Sequence, residues 1–172
     1  GENVVSTAVT NLSLLPGSRS VRDVERIAEQ ARAGSMVLSN HLSCGLNAWD
    51  YCLIDCPPSL GELTRTALAG STEVLMPIQC EYFALEGLTQ MIEVIRDVMA
   101  DQPGRLSFSG IVLTMHDANL ELTTEVEREV RDFFGEIVFD TVIPRDVTVS
   151  EAPSHALSVL DYAPRSLGAR AY

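Results

Sequence analysis

With 172 residues, 46% of them hydrophobic and 21% charged, the chain has ample apolar material for one packed core and too much for intrinsic disorder. Twenty-four Asp and Glu oppose 12 basic residues, every one an arginine; the net charge of −12 repels nucleic acid and anionic membrane at long range, and no arginine cluster offers a local exception. No apolar run reaches the ~18 residues of a membrane span, and the first residues do not pair a basic segment with an apolar signal core. The expectation is a cytoplasmic protein of one domain, residues 1–172, that does not bind DNA by itself.

In chain order, Asn11–Leu15 reads as a short strand stopped by Pro16 and Gly17. Ser18 or Ser20 can cap a helix over Val21–Ala33, where Val21, Val24, Ile27, Ala28 and Ala31 recur at helical spacing. Ser35–Ala48 is ambiguous, with Gly34 and Gly45 as breakers. Tyr51–Asp55 is a near-continuous apolar run of the kind found in buried parallel strands. Gly61–Ala69 reads as a helix and Glu73–Ile78 as a second apolar strand.

Leu85–Ala100 is the clearest amphipathic helix, with Leu88, Met91, Ile92, Ile95 and Met99 on one face. Ser109–Met115 reads as a third buried strand, and Thr123–Phe134 as a helix with Val126, Val130, Phe133 and Phe134 inside and a charged outer face. Val138–Ile143 is a fourth strand. A short helix near Ser150–Ala156 precedes Val159–Leu160, and Ser166–Tyr172 begins a last helix. Strand and helix alternate at spacings that suit βαβ crossovers, which predicts an α/β domain with a mostly parallel sheet and helices on both faces. Ligands of such sheets sit at the carboxyl ends of the strands, and those ends carry Asp55, Gln79, Thr114 and Pro144.

The four cysteines, Cys44, Cys52, Cys56 and Cys80, lack paired CxxC spacing and have no histidine at zinc-finger distance. They are expected to be buried thiols.

The segment Asp50–Gly61 (DYCLIDCPPSLG) puts one carboxylate, Asp55, at the end of an apolar run and turns the chain with Pro57 and Pro58. In P-loop nucleotidases that arrangement is the Walker B element, whose Asp orients the water shell of Mg²⁺ beside bound phosphates. Together with Met76–Leu88 (MPIQCEYFALEGL), Gly110–Ala118 (GIVLTMHDA) and Val142–Ser154 (VIPRDVTVSEAPS), it closely resembles the ParA-type partition ATPases, the deviant-Walker-A branch of the P-loop NTPases that includes MinD. The likeness runs from about Asn11 to Tyr172 and is dense from Tyr51 to Pro153.

The resemblance implies a P-loop NTPase-like fold with ATP and Mg²⁺ as ligands. Asp55 would be the Mg²⁺-orienting carboxylate, and Thr114, Met115, Pro144, Arg145 and Asp146 would lie in loops that frame the adenine ring. Gln79 and Glu81 would lie near the nucleotide-facing edge, either in a dimer interface or relay or as ordinary surface and capping positions.

Measured against the family, three departures set the functional expectation. The family's glycine-rich phosphate loop carries lysines, and these 172 residues contain none. Positions where DNA-binding members carry basic residues correspond to Asn119 and Thr148, and Asp146 stands where the family often has Asn. The C-terminal helix, from Gly168 to Tyr172, is short by comparison. The expectation is therefore a truncated ParA-like domain that does not hydrolyse ATP as this chain. The alternative is a non-enzymatic module that binds a partition partner of ParB type or a full-length ParA homologue. Loss of a strand from the sheet would open two edges; Val4–Val9, a partner chain or re-registration could fill the gap, and a homodimer is the favoured expectation.

Overall fold

Val5–Ser6 (β1) and Ser13–Leu14 (β2) pair antiparallel as a short hairpin, Val5 opposite Leu14 and Ser6 opposite Ser13. Thr7 ties the turn: its hydroxyl donates to the Leu12 carbonyl at 2.8 Å and accepts from the Val9 amide at 3.1 Å. Asn11, at φ 63°, takes the left-handed conformation that asparagine tolerates better than most side chains. The computed structural model describes residues 4–17, 38, 49–81 and 84–172, and the expected helix over Val21–Ala33 lies outside them. The chain divides into two compact units: Gly1–Thr72 with Val94–Leu106, and Glu73–Glu93 with Ser107–Tyr172.

In the first unit, Glu62–Gly70 forms helix α1 and buries Thr64, Ala67, Leu68 and Ala69. Its N-cap, Gly61, has no side chain to offer, and the Thr64 hydroxyl instead donates to the Ser59 carbonyl at 2.6 Å. Helix α2, Ala84–Asp101, is shared between the units. Its second half contributes buried Val94, Ile95 and Val98 to the first unit, and Arg65 of α1 reaches Asp97 at 3.2 Å. One expectation fails here. Tyr51–Asp55 forms no strand ladder among the described residues, and Tyr51 and Leu53 are 88% and 92% exposed. A strand exists only through its neighbours: the run has the composition of a buried strand, but no described segment pairs with it. Cys52 and Cys56, expected inside, are accordingly exposed; only Cys80 of the described cysteines is buried.

The second unit is built on three parallel strands in the order β3 (Glu73–Gln79), β4 (Ser107–His116) and β5 (Val138–Pro144). Parallel neighbours need long crossovers; α2 lies between β3 and β4 in the chain, and α3 (Glu121–Phe134) between β4 and β5. Ile111 and Leu113 of β4 are fully buried, as are Val126 and Val130 on one face of α3 to within 3%. Gly135, at φ 58°, ends α3, and its amide donates to the Arg131 carbonyl.

The β3–β4 register slips between Val74 and Leu75, which oppose Phe108 and Gly110. Gly110 sits at φ +150°, and a Cβ there would lie 2.9 Å from the Ile137 carbonyl oxygen and 3.0 Å from the Phe139 ring. Only glycine fits this irregularity.

After β5 come three short helices: α4 (Val147–Glu151), α5 (Val159–Tyr162) and α6 (Leu167–Ala171), with a 3₁₀ turn over Ala152–His155. Helix α4 starts three residues before the helix expected near Ser150, because Asp146 caps it. Val159 and Leu160 are helical, and α6 packs against β5.

Candidate functional site

The carboxyl ends of β3, β4 and β5 are stitched into one rim. The Cys80 amide donates to the Thr114 carbonyl at 3.0 Å, and the Thr114 hydroxyl donates to the Ile78 carbonyl at 3.2 Å. The Arg145 amide donates to the His116 carbonyl at 2.8 Å. Above the backbone, the Arg145 guanidinium meets the Glu81 carboxylate at 2.9 Å, joining the segments that leave β5 and β3. Both partners are about half exposed, so solvent screens the pair and its role is to orient Arg145 more than to stabilise the fold.

Met115 stands at φ 54°, a left-handed conformation rare for an unbranched long side chain. The turn that follows is self-bonded: Asp117 accepts from the Asn119 amide at 3.0 Å and from its side chain at 3.1 Å, and the Thr123 hydroxyl donates to the Asp117 carbonyl. Thr114 and Met115, expected in a loop, are the last residues but two and but one of β4, and Pro144 is the last of β5, because the strands run on to the turn.

Behind the rim lies a polar cluster that the sequence pattern did not announce. His116 Nε2 is buried and 3.1 Å from Glu127 Oε2, but off the angle of a hydrogen bond. The other Glu127 oxygen accepts from Arg131 Nε at 2.9 Å, and the Arg131 guanidinium donates onward to the Phe139 carbonyl at 3.2 Å. The i, i+4 spacing of Glu127 and Arg131 was a readable signal; the approach of His116 from β4 was not. Burial pushes the Cys80 thiol up to about 11, Glu127 adding to the rise and Arg131 opposing it, so it remains a protonated, unreactive group.

Asp146 is the most heavily bonded of the predicted site residues. One carboxylate oxygen accepts from the Thr148 amide at 2.9 Å and the Thr148 hydroxyl at 2.8 Å, and the other accepts from the Gly168 amide at 2.8 Å. These bonds, that of Gly168 first, hold its carboxyl below the usual range. The sequence carried the signal in the Asp-Val-Thr start of α4, whereas the Gly168 partner, 22 residues on, had none.

The structure therefore brings Thr114, Met115, Pro144, Arg145 and Asp146 to one rim of the second unit. Asp55 belongs to the first unit, as an exposed carboxylate between Cys56 and the unpaired run before it. Partial burial, and then the Asp55 charge, raise the Cys56 thiol. An exposed hard-oxygen group of this kind suits Mg²⁺, which keeps most of its waters when bound. Gln79 ends β3, where it pairs in register with Thr114.

A parallel α/β sheet with a rim at its strand ends is an architecture that P-loop NTPases share with other doubly wound proteins. Residues 1–108 match a family model described as an AAA domain. The chain is 44% identical to the chromosome-partitioning ATPase Soj of Treponema pallidum over 97% of its own length and 66% of that protein's. It is 41% identical to the chromosome partitioning protein ParA of Caulobacter vibrioides, covering 98% of this chain and 64% of that one. Among solved structures it is similar to cobyrinic acid a,c-diamide synthase of Mycobacterium smegmatis with bound ADP and magnesium, at a TM-score of 0.80 and 27% identity, over 99% of this chain and 62% of that one. The chain belongs to the ParA/MinD-type family of partitioning ATPases, and spans about two thirds of the length of the Treponema and Caulobacter relatives.

Proposed function

We propose that these 172 residues supply the Walker B carboxylate and the base-framing loops of a ParA-type nucleotide site, and that the polypeptide by itself does not turn over ATP. The observation that carries the first part is the rim: the Cys80 amide is bonded to the Thr114 carbonyl and the Arg145 amide to the His116 carbonyl, so backbone bonds join the ends of β3, β4 and β5, which suits recognition of a planar base by main-chain groups. Asp55 would hold Mg²⁺ through water beside the phosphates. The second part rests on side-chain chemistry: phosphate loops of this family use lysine, and no lysine occurs in the sequence. Asn119 and Thr148, at positions where DNA-binding members of the family carry basic residues, are engaged in turn and cap bonds, and with the acidic net charge this supports a protein that does not hold DNA by itself. Its partner is a second copy of the chain or a ParA- or ParB-like protein.

Titration with ATP and Mg²⁺ followed by amide chemical shifts tests the framing loops. The expected result is weak, saturable shifts at Thr114, Met115, His116 and Arg145. Shifts confined to other residues, or none up to millimolar nucleotide, would overturn the reading.

A further inference from the structure

We propose that Asp146 is a positioning residue that clasps helix α6 to the loop after β5, and thereby fixes Arg145 at the rim, instead of contacting a ligand itself. Four separate observations converge on it. Both carboxylate oxygens are engaged within the protein, one by Thr148 and one by Gly168. The Gly168 amide comes from the first turn of α6, whose Ser166 cap accepts from Ala169 at 3.1 Å, so the clasp grips an already ordered turn. The approach is so close that only glycine is admitted: a Cβ on Gly168 would collide with Val149 Cγ2 and lie 3.2 Å from Asp146 Cβ. Valine is stiff at χ1 and cannot swing its methyl aside at little cost. Finally, the neighbouring Arg145 is bonded to His116 through its amide and to Glu81 through its side chain, so one residue links the clasp to the rim.

A carboxylate does this work where an amide would not. It accepts at both oxygens, whereas an Asn side chain could accept from Thr148 but would turn its NH₂ toward the Gly168 N–H, donor against donor. The groups facing the carboxylate are Thr148, Ser166 and Gly168, all uncharged, while the nearby Arg145 guanidinium is directed to Glu81. The relevance of the clasp to nucleotide binding rests on the function proposed above; the clasp itself does not, and its test needs no nucleotide.

The experiment is amide exchange and proton chemical shift in the ligand-free chain, comparing wild type with Asp146→Asn. In the wild type the Gly168 and Thr148 amide shifts should titrate together with one acid midpoint, below the usual carboxylate range. Asp146→Asn should abolish that titration and speed Gly168 exchange by about tenfold or more, as expected for loss of a charge-assisted bond. Thr148 should change less, and Arg145 should also exchange faster. Unchanged Gly168 exchange would overturn the clasp, and freed Gly168 with an unaltered Arg145 would overturn its positioning role. Should that variant fold poorly, Gly168→Ala provides the second route: it should displace α6 and release the same amides, and adding Val149→Ala should restore part of their protection. Failure of the double variant to restore any would likewise count against the close approach.

Discussion

Asp146 and Cys80 show how one sheet end sets opposite fates for two ionisable groups. Asp146 has its folded-state carboxyl lowered by neutral donors, so the clasp's stabilisation is complete above the ordinary carboxylate range and is lost as pH falls through the lowered value. Urea unfolding should therefore place wild type above Asp146→Ala at neutral pH, with the gap closing in strong acid. A gap independent of pH would contradict the assignment. Cys80 is pushed the other way, up to about 11, and is wholly buried. In native protein at mildly alkaline pH, alkylation followed by mass spectrometry should label exposed Cys52 and leave Cys80 untouched until the chain unfolds. Early labelling of Cys80 would show that the β3 tip opens on its own.

At the scale of elements, the second unit rests on the fit of α3 and β5 against β4. Val130 of α3 is fully buried, and Val130→Ala should cost about 2 kcal/mol of unfolding free energy, measured by denaturant titration. Gly110→Ala meets both a φ of +150° and backbone oxygen at 2.9 Å, and should cost more, on the order of 3 kcal/mol. Equal or smaller loss at Gly110 would mean the bulge relaxes freely.

These strands and helices were readable because each carries its own pattern: Leu88, Ile95 and Val126 recur where a buried face requires them, and Ile111–Leu113 at the middle of β4 is an apolar run. Tyr51–Asp55 departs from this pattern, since an apolar run states what a strand is made of and not whether a neighbour pairs with it. The helix expected near Ser150 starts earlier because the Asp146 side chain caps it at Val147. Within the candidate site, the strand-end positions of Thr114 and Pro144 followed from the strand limits. The Glu81–Arg145 and His116–Glu127 pairs join residues far apart in the chain, and no local pattern announces them.

For the whole molecule, family and charge combine into a definite expectation. The described residues include no helix long and apolar enough to cross a membrane, and a net charge of −12 opposes counterion-release binding to duplex DNA. The purified chain should leave duplex DNA unshifted in a gel at about 0.15 M salt, a concentration at which only close charges still act; retention there would expose a basic surface absent from the sequence pattern. The central proposal is that these residues carry part of a ParA-type site and, without lysine, do not turn over ATP by themselves. Its most direct measurement is Mg²⁺-dependent phosphate release from ATP by the purified 172-residue chain, beside Asp55→Ala. The account predicts that neither protein exceeds the rate without protein. Turnover by the wild type that Asp55→Ala removes would contradict it.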